Sequence, residues 1–342
     1  MTAPPPATFI PSPAEPPPTS PRSLEAVADR GDRFFRIGTG ATGVAVLSLM
    51  AAVGVFLSIQ AAQALSKAGF SFLTTSEWQP DRQHFGIAAV ISGTVIIAAI
   101  AVAVAMPVAM GAALFITEVA PPGLRSSLVA LIDLMAAVPS VVYGLWGFRF
   151  LQGHILGVSR WFSTWFSWLP VFKVDGASGH SPLPNATVYT ASAFIAGLVV
   201  AMMVIPIQCS VMREVFSQVP PGEREGAFAL GSTRWGMIRT VSLPFGQGGI
   251  IGGTMLGLGR ALGETIAVVL IISPVFHINF HVLQSGTNSV SSLIALRYGE
   301  ASGFGLSALF AAGLALFFMT LCVNFVASIF IARSRSGASS EA

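Results

Sequence analysis

The chain has 342 residues, of which 53% are hydrophobic and only 10% are charged. Soluble globular domains carry about 25% charged residues, so these side chains cannot cover a soluble body of this size, and a cytosolic enzyme is excluded. The formal net charge of +3 is too slight, and the basic residues too scattered, to indicate binding to nucleic acid. The only cysteines, Cys209 and Cys322, lie in apolar runs, which excludes a disulfide framework and a cysteine zinc site.

The N-terminal segment differs in composition from the rest of the chain. The first 21 residues contain nine prolines and no apolar core. No basic stretch precedes an apolar one, as it would in a cleaved signal peptide. Residues 1–30 are therefore predicted to be a disordered, Pro-rich cytoplasmic tail.

Six long runs with few or no charged residues follow. They are 37–66, 87–116, 126–148, 187–212, 248–274 and 301–332. Each is long enough to cross a bilayer core, which takes about 20 apolar residues. The sequence predicts an all-α polytopic membrane protein with six transmembrane helices. Residues 31–85 would hold the first span and an external loop, residues 86–332 a core of five spans, and residues 333–342 a cytoplasmic tail.

The basic residues between the spans predict the orientation. With the N-terminus in the cytoplasm, the inner segments hold eleven arginines and the outer segments hold six lysines or arginines. Positive residues accumulate on the cytoplasmic side, so both termini are predicted to be cytoplasmic.

The outer stretch 149–186 is long and rich in aromatic residues. These are Trp161, Phe162, Trp165, Phe166, Trp168 and Phe172. Their spacing of three and four predicts one side of a short helix. Two interpretations remain open: a docking surface for an external partner, and a helix lying in the membrane interface, where tryptophan is favoured.

The inner segment 213–247 is the most charged part of the chain and carries a distinctive pattern. It reads Glu225-Gly226-Ala227, three residues, Gly231, nine residues, and then Val241-Ser242-Leu243-Pro244. The pattern predicts a short helix, a break at Gly231, and a second short helix that closes before Pro244. A polar helix pair on such an apolar protein must meet water or another protein.

This pattern resembles the E-A-A, x3, G, x9, I-x-L-P loop in membrane subunits of ATP-binding-cassette (ABC) importers. Gly226 replaces the usual alanine, and Val241 replaces the usual isoleucine. In that family the loop inserts into a groove on the ATPase subunit. The resemblance implies an ATPase contact at the matching positions, which are Glu225, Gly226, Ala227, Gly231, Leu243 and Pro244.

Three further strings resemble the PstC-type permeases of phosphate importers. They are Gly31–Arg36, Ala137–Gly147 and Gly259–Thr265, and the resemblance covers residues 28 to 332. It implies a type I importer-permease (MetI-like) fold, a bacterial cell-membrane location and phosphate as the solute. The implied partners are a homologous second permease, two cytoplasmic ATPase subunits, an extracytoplasmic phosphate-binding protein and membrane lipid. The second permease of such a pair is similar, and the loop alone does not distinguish the two.

The chain lacks the motif with which an ATPase holds phosphates. A P-loop needs a lysine after glycine, and the only lysines are Lys67 and Lys173, followed by alanine and valine. We therefore expect a transport subunit that is not an enzyme and holds no cofactor, with ATP and Mg²⁺ on the partner ATPases.

Two charges lie near the middle of the fifth predicted span. Arg260 and Glu264 are four residues apart, which predicts that they share one face of a helix, beside a stripe of small residues. Charges within a membrane are costly unless they are paired or face a cavity, so they indicate either a structural ion pair or the solute path. A guanidinium suits a tetrahedral oxyanion. A carboxylate can accept a hydrogen bond from the O–H of phosphate, which sulfate lacks.

Three residues of the third span are candidates for a gate or for charge pairing. Asp133 would pair with Arg260 or with the partner permease, or else lie near the inner interface. Pro139 removes a backbone hydrogen bond and bends the span, so Pro139 and Ser140 mark either a gating hinge or an ordinary kink.

The sequence therefore favours the permease subunit of an ATP-driven phosphate importer. An importer for another oxyanion is the alternative of the same class. A secondary transporter or a polytopic membrane enzyme is the alternative of a different class, and the loop pattern argues against both.

Overall fold

The computed structural model describes residues 30–174, 186–301 and 303–334. The Pro-rich tail predicted over residues 1–30 lies outside the described residues except for Arg30, which begins the first helix, and the end of the chain after residue 334 lies outside them too. By contacts between residues the chain divides into two compact units, one ending at Ala52 and the other beginning at Val53. The first unit holds the start of the first helix, and the second holds the rest of that helix and every later element.

The described part of the chain is mostly helical. The helices are α1 (Arg30–Ala68), α2 (Ser71–Thr74), α3 (Ala88–Leu114), α4 (Pro122–Ala137), α5 (Ser140–Trp146), α6 (Gln152–His154), α7 (Leu156–Trp165), α8 (Ala193–Ser217), α9 (Pro221–Ala229), α10 (Arg234–Met237), α11 (Leu243–Phe245), α12 (Gln247–Gly263), α13 (Ile266–Ile271), α14 (Val290–Arg297) and α15 (Phe304–Ser334). Three π-helical segments extend some of them, namely Phe115–Val119, Gly147–Leu151 and Ile238–Ser242. Strands β1 (Trp78–Gln79) and β2 (His84–Phe85) form an antiparallel hairpin in which Trp78 is opposite Phe85.

The six predicted spans are only partly matched by single helices. Within the described residues, four helices are long and apolar enough to cross a membrane: Gly31–Ala68, Ala88–Val119, Ala193–Ser217 and Phe304–Ile329. The third predicted span is instead a helix pair bent by 89°, which would make a fifth span if counted as one. The fifth predicted span is divided into α12 and α13. A count of six therefore stays a prediction.

Small side chains hold the helices of the core close together. Helix α3 packs along α8, with Ala101, Ala105 and Ala109 fully buried. Helix α12 lies against α8, α15 and α3, and buries the stripe Gly249, Gly253, Gly257 and Ala261. Helices in an apolar environment pack closely through such residues because the backbones can approach one another. The stripe of small residues noted in the sequence is therefore a packing surface of α12.

The aromatic stretch after the third span is arranged differently from the prediction. Helix α7 ends at Trp165, so Trp168 and Phe172 lie beyond it. The phenylalanines turn inward, with the rings of Phe162 and Phe172 stacked at 5.4 Å, whereas Trp161, Trp165 and Trp168 are exposed. The expectation that all six rings share one side of a helix was wrong, because the chain leaves the helix at Phe166 and the phenylalanines pack together.

The packing of α12 on α8 gives a stability prediction. A Cβ atom added at Gly249 would lie 2.6 Å from the Cβ of Val215, whereas one added at Gly259 would meet only Asn324 Oδ1, at 3.5 Å. Gly249→Ala should therefore destabilise the protein by about 1–3 kcal/mol, the usual cost of overpacking. Gly259→Ala is the matched control on the same helix and should be neutral. Thermal unfolding in detergent checks this, and equal midpoints for the two variants would contradict the packing described.

Candidate functional site

Two helices are interrupted in the same way. Helix α4 ends at Ala137 and α12 ends at Gly263, and the next residues, Val138 and Glu264, both have φ −67° and ψ 128°. The extended residue Pro139 follows Val138, so the third predicted span contains a full break rather than a kink. Discontinuous helices mark solute and ion sites in many transporters, because they bring free helix ends and polar backbone together.

The second break changes the relation between Arg260 and Glu264. Arg260 lies in the last turn of α12, but Glu264 is beyond the helix, so the prediction of one shared helix face was wrong. The Arg260 side chain is exposed and Glu264 is 9% exposed. No ion pair joins them in the part of the chain that the structure describes. Their charges instead complement the dipoles of the two helix ends, with the cation at a C-terminus and the carboxylate at an N-terminus.

Two hydrogen bonds fix Glu264, one to its side chain and one to its backbone. Its carboxylate Oε1 accepts a hydrogen bond from the backbone N–H of Ala267, in the first turn of α13, at 3.4 Å. Its backbone carbonyl accepts a hydrogen bond from the Ser291 hydroxyl at 2.7 Å. The break therefore has a fixed position, and Ser291 on α14 satisfies a carbonyl that the interrupted helix leaves free.

The start of α14 forms a buried polar cluster that the sequence analysis missed. Ser289 and Ser292 make a reciprocal capping box, and Ser292 also donates to Asn288 Oδ1 at 2.8 Å. The Val290 N–H donates to Thr94 Oγ1 of α3 at 3.0 Å. Asn288 Nδ2 is buried without a hydrogen-bond partner among the described residues. A Ser-x-x-Ser pattern after a turn was the available signal, since it is a weaker form of the helix-capping box.

The two interrupted spans pack against each other. Helix α13 contacts α5, and a Cβ atom at Gly144 would lie 2.9 Å from the Cα of Ala267. The Tyr143 hydroxyl donates across the first break to the Met135 carbonyl at 2.9 Å. The half-helices that follow Pro139 and Glu264 therefore meet, with a buried carboxylate at the edge of their contact. Such a place can bind a polar solute within an otherwise apolar helix bundle.

Ser140 and Asp133 lie on the two half-helices of the third predicted span. Ser140 begins α5, directly after the break. Asp133 is exposed on α4, and none of the ion pairs among the described residues includes it, so the suggested pairing with Arg260 is not formed within this chain. A contact with a partner permease and a position near the membrane interface both stay open for Asp133.

The charged segment between α8 and α12 forms two short helices, as predicted, with one difference. Gly231 separates α9 from α10 and has φ +83°, a left-handed conformation that glycine adopts without strain. The Thr233 hydroxyl caps α10 by accepting from the Gly236 N–H. The second helix does not close before Pro244, because it continues through a π-helical segment, and Pro244 lies in α11.

This segment presents apolar side chains to the outside. Leu230 is 90% exposed and Trp235 is 64% exposed, beside the exposed Phe228, Glu225 and Gly226. Ala227 and Leu243 are half-buried and Pro244 is exposed. An exposed apolar patch of this kind, rimmed by charges, is typical of a protein–protein contact.

A buried ion pair fastens this segment to the bundle. Glu118, whose side chain is 4% exposed at the end of α3, forms an ion pair with Arg224 of α9 at 3.1 Å. The same carboxylate oxygen accepts a hydrogen bond from Ser242 at 3.1 Å. Arg224 also donates to the Phe216 carbonyl at 2.8 Å. Movement of the short helices is thereby linked to α3 and α8. The only signal for this ion pair in the sequence is that Glu118 is the first charge after the second apolar run.

Metal-ligating residues do not gather anywhere in the described residues. No group of three histidine, cysteine, aspartate or glutamate side chains there is placed to hold a metal ion. The polar chemistry is that of arginine, glutamate and hydroxyl side chains at helix breaks.

Three similar proteins of known name belong to one family. No protein-family model matches the chain. It is 40% identical over 301 residues to the phosphate transport system permease protein PstC of Pasteurella multocida, covering 88% of this chain and 91% of that protein. Identity to the PstC protein of Haemophilus influenzae is 37%, covering 88% and 93%. Identity to PstC 2 of Mycobacterium tuberculosis is 35%, covering 87% and 90%.

Solved structures resemble the fold. A bacterial ABC transporter that imports the acidic polysaccharide alginate matches with a TM-score of 0.57 and 16% identity, over 89% of this chain and 96% of that chain. A structure of a bacterial alginate ABC transporter with a pentasaccharide-bound periplasmic protein matches with a TM-score of 0.55, over 92% and 99%. These likenesses agree with the predicted all-α importer-permease fold. The chain belongs to the PstC family of phosphate transport system permease proteins.

Proposed function

We propose that this chain forms one half of the membrane pathway of an ATP-driven phosphate importer, and that phosphate passes the break between α12 and α13. The observation that carries the proposal is the buried Glu264 carboxylate at that break, with Arg260 one turn before it on α12. The guanidinium supplies forked donors for phosphate oxygens. The carboxylate accepts a hydrogen bond from a phosphate that keeps a proton, and it repels sulfate.

The transport cycle uses both helix breaks and the exposed short helices. A homologous permease completes the pathway, two cytoplasmic ATPase subunits bind ATP and Mg²⁺, and an external phosphate-binding protein delivers the ion. The α9–α10 segment sits in a groove on one ATPase, with Glu225, Ala227 and Gly231 at the contact. Closure of the ATPases moves α9, and the Glu118–Arg224 ion pair transmits that movement to α3. The half-helices at Pro139 and Glu264 then change their packing and turn the pathway outward.

The orientation follows from the same assignment. Both termini and the α9–α10 segment lie in the cytoplasm of a bacterial cell, in agreement with eleven arginines on that side. The loops before α3 and around α7 face outward. Uptake of labelled phosphate by membranes that hold all subunits, with other oxyanions as competitors, tests the proposal. Uptake of another oxyanion in preference to phosphate would overturn it.

Arg260→Gln tests the pathway role of the cation. Since Arg260 is exposed and forms no ion pair with a described residue, the variant should assemble normally. Loss of a hydrogen bond to a charged group costs about 1.5–3 kcal/mol, so phosphate uptake should fall roughly 10- to 150-fold. Arg160→Gln removes another exposed arginine, from α7, and should leave uptake unchanged. Normal uptake by an assembled Arg260→Gln transporter would leave Arg260 with a structural role only.

Glu264→Gln tests anion selectivity. Glutamine keeps the shape and can still accept a hydrogen bond, so phosphate uptake should weaken rather than vanish. Sulfate should begin to compete, because the repelling charge has gone. The external binding protein selects anions first, so the assay needs a transporter variant that works without that protein. If phosphate uptake falls while sulfate stays inert, Glu264 only fixes the break.

Gly231→Trp tests docking of the ATPase. A Cβ atom at Gly231 meets nothing within 4 Å in this chain, so a bulky side chain there would project toward a partner. We expect the ATPase to dissociate, or ATP hydrolysis to lose its coupling to transport. Gly231→Asn is the matched control, because asparagine tolerates the left-handed backbone and adds little bulk. Copurification and transport-coupled hydrolysis measure the effect, and a fully coupled Gly231→Trp transporter contradicts the docking role.

A further inference from the structure

A cavity of about 220 Å³ lies at the root of the α9–α10 segment, away from the helix breaks. Three arginines from three helices line it: Arg125 of α4, Arg213 of α8 and Arg224 of α9. Glu214 is the one carboxylate in its lining. Glu118, which is not in the lining, forms an ion pair with Arg224. The three arginines therefore outnumber the two carboxylates, Glu118 and Glu214.

The arginines keep donors that the protein does not use. Arg213 is half-buried and takes part in no hydrogen bond or ion pair with a described residue. The Nε of Arg224 is buried and has no acceptor among the described residues. Arg125 donates one N–H to the Thr117 carbonyl at 2.9 Å. A buried N–H without an acceptor costs about 1–3 kcal/mol, so the cavity favours a ligand that brings acceptor oxygens.

The donor set fits one chemical class. Guanidinium groups bind phosphate oxygens through two parallel N–H bonds, and three of them around one cavity suit a group with several oxygens. We propose that this cavity binds a phosphate group, from either the headgroup of an anionic phospholipid or a free phosphate ion. Glu214 then accepts a hydrogen bond from a headgroup hydroxyl or from a protonated phosphate oxygen.

A ligand in this cavity would join the elements on which transport depends. It touches α4, which leads to the break at Pro139, α8, which packs on α3 and α12, and α9, which carries the docking surface. Binding therefore stiffens the link between the ATPase contact and the helix breaks. If the ligand is a lipid headgroup, transport depends on membrane composition. If it is free phosphate, the transported ion regulates its own transport from the cytoplasmic side. The second consequence rests on the proposed function.

The experiment measures the thermal unfolding midpoint of the purified complete transporter. Phosphatidylglycerol is added in one arm, phosphatidylcholine in a second and inorganic phosphate in a third. A ligand that binds only the folded state raises the midpoint. A ligand concentration well above the dissociation constant should give a shift on the order of 2–4 °C. Arg213→Gln should reduce affinity about tenfold or more and so lower the shift by about half or more. Because Arg213 makes no bond within the described chain, the variant should fold.

Arg36→Gln is the matched control, since it removes an exposed arginine from α1 and should keep the shift. A shift with phosphatidylglycerol alone identifies the lipid headgroup, and one with inorganic phosphate identifies the free ion. The phosphate arm is repeated with Arg260→Gln, which removes the pathway site, so that failure of one site is distinguished from failure of the other. No shift in any arm, or equal shifts in the wild type and Arg213→Gln, overturns the proposal.

Discussion

An interrupted helix in a membrane must find hydrogen bonds for its free backbone groups within the protein, because the surrounding hydrocarbon offers none. The described part of the chain has two such breaks, with the same backbone angles at Val138 and Glu264. Tyr143 bridges the first to the Met135 carbonyl, and Ser291 satisfies the carbonyl of Glu264 at the second. Polar groups are thereby fixed where the half-helices meet, and that is where a charged solute can be received.

The same constraint links the breaks to the exposed short helices α9 and α10. Helix α12, which ends at the second break, packs on α8 through the glycine stripe. Helix α8 leads directly into α9, and Arg224 of α9 is tied to α3 through Glu118. Small residues let these helices approach closely, so a displacement at one end is not absorbed by loose packing. We infer that transport depends on this rigid connection between α9 and the break.

Much of this organisation could be predicted from the sequence, but the breaks and clusters could not. Apolar runs indicate spans, and the pattern around Gly231 predicts the short helices and their separation. Glu264 lies inside the long run 248–274, which reads as one span, however, and the hydroxyl that satisfies its carbonyl at the break comes from Ser291, 27 residues further along the chain. Likewise, Glu118 meets Ser242 across 124 residues. Tertiary contacts decide both, and local propensity gives only a weak prior.

The proposed function requires phosphate to bind at the break between α12 and α13. A cryo-EM structure of the complete transporter, trapped with phosphate in the membrane pathway, would show where it binds. We expect phosphate density within hydrogen-bond distance of Arg260, with Glu264 beside it at the start of α13. Phosphate bound elsewhere in the pathway, with Arg260 turned toward lipid, would contradict the account.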